Sequence, residues 1–170
     1  MRPLLVVGFG PFLDVGDNPA ARLAHAVDGR LAGEFRVVGR EMPVSYTRAP
    51  DLTERWAREL HAAAVLGVGV ARGRIAAAVE RTGRAACDGT PDVDGEIARL
   101  DGADRRSAVA EALAGALDVA VSDDAGRYVC NTWLFRVLGQ LTDRPVAFLH
   151  VPPEGFDPER LCAALPSLLR

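Results

Sequence analysis

A cysteine and a histidine each stand at the end of a regular segment in this sequence. Cys130 follows Gly126 and opens a segment, Val129–Leu141, in which apolar residues recur at helical spacing. A thiol in the first turn of a helix meets unpaired backbone N–H groups and the positive end of the helix dipole, and both favour the nucleophilic thiolate. His150 lies at the end of an apolar segment, 146–151, that predicts a strand. Together the two side chains could provide the nucleophile and base of a cysteine hydrolase.

Each of these residues also has a purely structural interpretation. Most free cysteines are small buried hydrophobes, as we expect for Cys162 in the middle of a predicted helix, and Cys87 has no evident role. A single histidine at a strand end is often a packed structural residue. Ligand sites in open α/β sheets nevertheless lie at the carboxyl ends of the strands, where His150 is predicted to be.

An acidic residue is needed to orient the imidazole, and Glu80 is the candidate. It follows a run of small apolar residues and precedes Arg81. The alternative is a solvated carboxylate that pairs with Arg81 or Arg84.

Composition narrows the functional class. The chain has 170 residues and a formal net charge of −3, so we expect a single domain over 1–170 without the basic surface that nucleic acids require. The first apolar run is too short for a signal peptide, and no segment reaches transmembrane length. The three cysteines are widely spaced and form no CxxC pair, which predicts a cytoplasmic protein without a metal or other cofactor and without a membrane partner.

Predicted strands alternate with predicted helices along the chain. The strands are expected at 4–8, 35–44, 63–69, 119–122 and 146–151, and the helices at 19–29, 51–61, 105–117, from 129 and from 158. Segment 75–87 stays open between a helix, favoured by its alanines, and a strand in its second half. The alternation predicts a three-layer α/β/α fold, with a mostly parallel twisted sheet and helices on both faces.

The loop after the first strand carries aromatic residues. Phe9 and Phe12 lie in this glycine-rich segment, where they are well placed to line a ligand site. Asn18 and Pro19 then form a typical helix start, with an N-cap followed by proline.

Five segments together resemble the pyroglutamyl peptidase I (pyrrolidone-carboxylate peptidase) family of cysteine peptidases. They match its GFxPF…NP, LPVxF/Y, VGxAxGR…ER, GxYxCN and F(I/L)HVP motifs, and they span nearly the whole chain. They are, in order, Gly8–Phe12 with Asn18–Pro19, Met42–Tyr46, Val68–Arg74 with Glu80–Arg81, Gly126–Asn131, and Phe148–Pro152.

The resemblance implies roles for three residues. Cys130 would be the nucleophile, His150 the general base and then acid, and Glu80 the residue that orients the imidazole. The backbone N–H of Cys130 would stabilise the oxyanion.

It also implies a substrate and a set of binding residues. The substrate would be a peptide with an N-terminal pyroglutamyl (5-oxoprolyl) residue, released through a thioacyl-enzyme. Phe9 and Phe12 would flank the flat ring, Asn18 would order the loop and hydrogen-bond near the ring, and Val44 would belong to the binding segment. The implied fold is phosphorylase/hydrolase-like, and the implied assembly is a homo-oligomer, a dimer or tetramer.

The sequence departs from the family pattern after Glu80. Ala85 stands where the family has an asparagine, and Thr90 stands near the place of an arginine that assists the oxyanion; Arg84 is a possible substitute. Two alternatives therefore stay open: a cysteine hydrolase of another small cyclic or N-acyl amide, and a non-catalytic pyroglutamyl-binding homologue.

Overall fold

A seven-stranded sheet forms the middle layer of the molecule. The computed structural model describes residues 1–12 and 16–170; Leu13, Asp14 and Val15, which belong to the predicted aromatic loop, lie outside the described residues. The strands of this sheet are β1 (Pro3–Phe9), β2 (Leu31–Ala32), β3 (Phe35–Met42), β4 (Ala64–Val70), β5 (Ala78–Glu80), β8 (Ala120–Ser122) and β9 (Val146–Val151), and a separate two-stranded ladder joins β6 (Thr82–Gly83) to β7 (Arg105–Arg106).

The strand order across the sheet is β2-β3-β1-β4-β9-β5-β8. The strands β3, β1, β4 and β9 are mutually parallel. β5 runs antiparallel to β9 and parallel to β8, and β2 runs antiparallel to β3. The mostly parallel sheet predicted from the sequence is confirmed.

Within residues 1–12 and 16–170, five α-helices cover the two faces of this sheet. They are α1 (Pro19–Val27), α2 (Arg48–Glu59), α3 (Ala110–Leu117), α4 (Val129–Gln140) and α5 (Pro158–Ala164), which continues as a 3-10 helix, Leu165–Leu169. One apolar cluster joins α1, α3 and α5 to one face, and a second joins α2 and α4 to the other. The fold is therefore the three-layer α/β/α arrangement expected from the sequence.

Helix starts follow the local sequence. The side chain of Asn18 caps α1 by accepting a hydrogen bond from the backbone N–H of Ala20, and Asp157 caps α5 in the same way through Glu159. Each cap precedes a proline at the first helical position, as predicted.

Segment 75–87 forms strands and contains no helix, so the helical alternative suggested by its alanines was wrong. Ala78–Glu80 pairs with both β9 and β8, and this pairing outweighs the intrinsic helical preference of alanine, which amounts to less than about 1 kcal/mol per residue. The helix predicted from Arg105 begins only at Ala110, because Arg105–Arg106 pairs with Thr82–Gly83.

The two elements that carry the predicted chemistry lie where the sequence placed them. α4 begins at Val129, one residue before Cys130, and β9 has the predicted bounds. Within the described ranges, no helix is both long and apolar enough to span a bilayer.

Candidate active site

The His150 ring and the Glu80 carboxylate lie on the sheet face that α4 covers. β9 alternates, with Leu149 and Val151 packing toward α1 and α3, so the His150 side chain emerges on the opposite face. Glu80 is paired with Phe148 across the antiparallel β5–β9 ladder, which places it diagonally next to His150 on that same face.

A short hydrogen bond joins these two side chains. His150 Nδ1 lies 2.7 Å from Glu80 Oε1, and the side chains are 6% and 0% exposed, respectively. An ionised carboxylate can only accept hydrogen bonds, so Nδ1 carries the proton and the Nε2 atom of a neutral ring is free to accept another. The acid therefore fixes both the orientation and the tautomer of the imidazole.

Arg74 contacts the same carboxylate oxygen. Its Nη1 atom donates to Glu80 Oε1 at 2.5 Å, and its Nη2 atom donates to Ser122 Oγ at 3.2 Å and to the carbonyl of Asp124 at 2.6 Å. The sequence analysis named Arg74 only as part of a motif and gave it no role. Its partners lie 6 to 50 positions away in the sequence, so local spacing held no signal for these contacts.

Cys130 occupies the second position of α4. The turn before α4 contains Gly126, whose φ of +79° is a conformation that favours glycine. The N-cap residue, Tyr128, is extended and its side chain makes no capping hydrogen bond. The first-turn N–H groups of α4, including that of Cys130, are thus not taken up by a side-chain cap and can bind an anionic oxygen.

The thiol of Cys130 lies against the backbone of β4. A Cβ atom added to Gly69 would stand 2.6 Å from Cys130 Sγ, and Gly69 is the register partner of His150 on β9. Cys130 and His150 therefore flank the same glycine. Both also line one cavity of about 400 Å³, together with Arg74, Arg127 and Tyr128.

The electrostatics of the site oppose a resting thiolate. Burial and, to a smaller extent, the Glu80 carboxylate together raise the pKa of the Cys130 thiol to about 12, although Arg74 acts to lower it. The helix start, which the sequence analysis expected to favour the thiolate, is opposed here by this desolvation and by the nearby carboxylate. A base is therefore needed to remove the proton of the Cys130 thiol.

Aromatic rings lie beside the first turn of α4. The Tyr128 ring lies 5.5 Å from that of Tyr46, edge to face, and 6.3 Å from that of Phe12. Arg72 stacks over the Phe12 ring, 5.3 Å from its centroid. Tyr128 lines the cavity, so Phe12 is a predicted ring-binding residue that contacts the cavity lining.

The other predicted binding residues are more deeply placed. Phe9 is 2% exposed and Val44 is 1% exposed, and both pack in the apolar cluster beneath α2 and α4. The Asn18 amide orders the loop, as predicted, by donating to the carbonyl of Gly10 and accepting from Ala20. Its hydrogen-bonding capacity is thus largely used within the backbone, and contact of these three residues with a ring stays a prediction.

The segment after Glu80 is held by a residue that the sequence analysis left without a role. The buried Asn131 side chain accepts from the N–H of Arg84 and donates to the carbonyls of Arg84 and Ala86, at 2.8 to 2.9 Å. Arg84 does not line the cavity, and its Nε atom donates to the carbonyl of Asp123. It therefore does not replace the arginine that the family resemblance led us to expect, and Thr90 is bonded through its carbonyl to Tyr46.

A family model for pyroglutamyl peptidases matches residues 2–155, a span that contains Glu80, Cys130 and His150. The chain belongs to the pyroglutamyl peptidase family. As a member of this family, the chain is a cysteine peptidase.

Relatives and solved structures agree with this membership. A pyrrolidone-carboxylate peptidase of Halalkalibacterium halodurans is 32% identical over 168 residues, which cover 88% of this chain and 83% of the relative. The structure is similar to pyrrolidone carboxyl peptidase from Thermococcus litoralis, with a TM-score of 0.85 and 24% identity over 99% of this chain and 92% of that one. A variant of the Pyrococcus furiosus enzyme gives a TM-score of 0.83 and 26% identity over 98% and 96% of the two chains.

Proposed function

We propose that this protein is a cysteine peptidase that removes an N-terminal pyroglutamyl residue from peptides. The observation that carries the proposal is the placement of Cys130 and His150 on one cavity, with Glu80 bonded to His150 Nδ1, in a member of the pyroglutamyl peptidase family.

In the first step, His150 takes the proton of the Cys130 thiol. The Nδ1–H bond to Glu80 keeps Nε2 unprotonated in the resting ring, and it stabilises the imidazolium once the proton arrives. Since burial raises the pKa of the thiol to about 12, proton transfer accompanies attack on the substrate rather than preceding it. Sγ bonds to the carbonyl carbon of the pyroglutamyl residue, and the C–O double-bond electrons move to the oxygen.

The resulting oxyanion meets the start of α4. The N–H of Cys130 lies in a first turn without a side-chain cap, so it can donate to the developing negative charge. His150 then donates its proton to the leaving amine, and the C–N bond breaks to leave a thioester. A water molecule, deprotonated by His150, attacks the thioester and releases 5-oxoproline and the thiol.

The substrate ring is expected to lie near Phe12. An aromatic wall offers a flat, uncharged ring a large contact area without requiring a counter-charge. We assign Phe12 to the wall on the basis of its tilted ring contact with Tyr128, and Phe9, Val44 and Asn18 to the layer that supports it.

Release of a fluorophore from a pyroglutamyl amide tests the proposal. We expect turnover by the reduced wild-type protein and a loss of at least about 1,000-fold in Cys130→Ala, which removes the nucleophile. The matched prolyl amide lacks the ring carbonyl and should be a poor substrate. A folded, reduced wild-type protein that does not hydrolyse the pyroglutamyl amide would contradict the proposal, whether or not it binds 5-oxoproline.

We also infer a cytoplasmic location and a homo-oligomeric assembly, a dimer or tetramer. All three cysteines are free thiols, which is the state maintained in a reducing compartment. Light scattering after size-exclusion chromatography tests the assembly, and a monomer at micromolar concentration would contradict it.

A further inference from the structure

The charged carboxylate of Glu80 is buried away from solvent. The residue is fully buried, and its second oxygen, Oε2, accepts no hydrogen bond from any described residue. Burying an ionised carboxylate is costly unless another charge compensates it. His150 contributes a full charge only when it is protonated, so in the resting site it does not compensate Glu80.

Arg74 is the permanent cation in contact with this carboxylate. Its Nη1 atom and His150 Nδ1 both reach Glu80 Oε1, at 2.5 Å and 2.7 Å. The other charged groups nearby have different partners or positions. Asp123 is bonded to Arg81, Asp124 accepts from the N–H of Gly126, and Cys130 is a neutral thiol at rest.

The remaining hydrogen bonds of Arg74 fix its position. Its Nη2 atom is bonded to Ser122 Oγ and to the carbonyl of Asp124, in the segment that connects β8 to α4. Ser122 is the register partner of Glu80. The guanidinium is thus hydrogen-bonded both to the Glu80 carboxylate and to the segment that leads to Cys130.

We propose that Arg74 is a positioning residue that keeps Glu80 ionised and oriented toward His150 Nδ1. The proposal rests on the peptidase function proposed above, because it assigns Arg74 a part in the same proton transfer. Arg74 acts through Glu80 and takes no proton itself.

Removal of Arg74 has a predictable electrostatic effect. Without the guanidinium, the buried carboxylate attracts a proton more strongly, either onto itself or onto the His150 ring. A protonated Glu80 no longer orients the ring, and a protonated ring no longer accepts the thiol proton. Both outcomes move the acidic limb of the rate profile to higher pH.

The test compares Arg74→Ala, Arg74→Lys and Arg81→Ala across pH on the pyroglutamyl amide. We expect Arg74→Ala to lower kcat by about 10- to 100-fold with little change in KM, and to move the acidic limb to higher pH. Arg74→Lys keeps the charge and should recover part of the rate. Millimolar guanidinium chloride should also restore part of the rate of Arg74→Ala, because the lost side chain lines an open cavity.

Arg81→Ala is the matched control. The side chains of Arg81 and Arg74 are 27% and 29% exposed, and both hold the β8–α4 connection, but Arg81 does so through Asp123 and also binds Glu111. If tethering of this connection were the whole role of Arg74, both alanine variants would lose melting temperature and neither would shift its pH profile. An unshifted profile in Arg74→Ala, or a rate that guanidinium leaves unchanged, would overturn the proposal.

A measurement without substrate separates this proposal from the proposed function. The proton between His150 Nδ1 and Glu80 should give a low-field proton resonance, assigned by its absence in Glu80→Gln. Arg74→Ala should broaden or lose that resonance, and Arg81→Ala should keep it. A wild-type protein that shows the resonance but no turnover contradicts the peptidase, whereas an active wild type whose resonance survives in Arg74→Ala contradicts the role of Arg74.

Discussion

The protonation state of Cys130 decides how this site begins its reaction. Burial and the Glu80 carboxylate raise the pKa of the thiol to about 12, so only a small fraction of it is thiolate at neutral pH. At any pH below the pKa, that fraction rises about tenfold when the pH increases by one unit. We expect the alkylation rate of Cys130 by iodoacetamide to keep rising through pH 9.

The measurement is best made in a Cys87→Ser background, because Cys87 is half-buried and would react as well, whereas Cys162 is buried. Loss of the alkylation signal in the Cys87→Ser, Cys130→Ala double variant identifies the reacting thiol. A rate plateau between about pH 5 and 8 would instead indicate a preformed thiolate–imidazolium pair and contradict this prediction.

The absence of a side chain at Gly69 leaves room for the Cys130 thiol. A methyl group there would stand 2.6 Å from Cys130 Sγ and 2.9 Å from the Phe148 ring. We expect Gly69→Ala to displace the thiol, to lower kcat by about tenfold or more, and to destabilise the fold by about 1–3 kcal/mol. Urea unfolding and amide hydrolysis measure the two effects.

Gly115 in α3 provides the comparison for this substitution. A Cβ atom there would meet nothing within 4 Å. Gly115→Ala should therefore keep full activity and add up to about 1 kcal/mol to the free energy of unfolding. Equal activity losses in the two glycine variants would show that the close approach at Gly69 is unimportant.

Single residues were predictable where their role depends on sequence neighbours. Cys130 at a helix start and His150 at a strand end follow from local periodicity. Glu80 was first a candidate beside a solvated alternative, and the family resemblance then implied its pairing with His150. The Arg74 contact could not be foreseen because it depends on how β5 and β8 meet. The helix start favours a thiolate, but the opposing desolvation could not be predicted from the sequence because it is a property of the assembled site.

At the scale of elements, Asn131 connects α4 to the segment that follows β6. Its buried amide makes three hydrogen bonds to the backbone of Arg84 and Ala86. Asn131→Ala leaves these backbone groups without their partner, so we expect a loss of about 2–3 kcal/mol in the free energy of unfolding and faster hydrogen exchange in segment 84–86.

The same helix offers a second amide for comparison. Among the described residues, the Gln140 side chain makes a single hydrogen bond, through Nε2 to Asp51 Oδ1 at 3.1 Å. Gln140→Ala should cost less than about 1 kcal/mol and leave exchange in segment 84–86 unchanged. If Asn131→Ala did not accelerate that exchange, Asn131 would not be what holds the segment.

Long, periodic elements and the short strand β8 were predictable, and the two-residue strands were not. β1, β4, β9 and all five helices were expected, because their apolar patterns are strong. β2, β6 and β7 contain two residues each, too few for a pattern, and exist only through their partners. Segment 75–87 stayed ambiguous for the same reason, since pairing with β9 decides its conformation.

At the scale of the whole molecule, buried tyrosine and cysteine side chains make the free energy of unfolding decrease at alkaline pH. Burial raises the pKa of Tyr46, Tyr128 and Cys130 above their ordinary values. Above about pH 9 the unfolded chain releases these protons while the folded chain retains them, so the unfolded state is favoured as the pH rises. We expect the urea midpoint to fall steadily between about pH 8.5 and 10.5.

Cys130→Ala should reduce this decline, because it removes one of the three groups. The comparison uses the slope of the urea midpoint against pH, so a general loss of stability in the variant does not affect it. A midpoint that stays constant up to about pH 10.5 would contradict the prediction.

The three-layer architecture itself followed from the alternation of strands and helices. The sequence did not indicate that β5 and β8 would run against the direction of β9. That reversal brings Glu80 beside His150, and no local pattern encodes the direction in which a three-residue strand enters a sheet.

The diagonal placement of Glu80 and His150 across β5 and β9 restricts where the gene can gain or lose codons. One residue inserted or deleted within Ala78–Glu80 turns the acid to the opposite face of the sheet, away from the imidazole. A change of two residues restores the face but displaces the acid along the strand. Segment 97–104 carries no helix or strand and faces no such constraint. Differences in length between this chain and its relatives should therefore collect in such connections, while the spacing within β5 stays fixed.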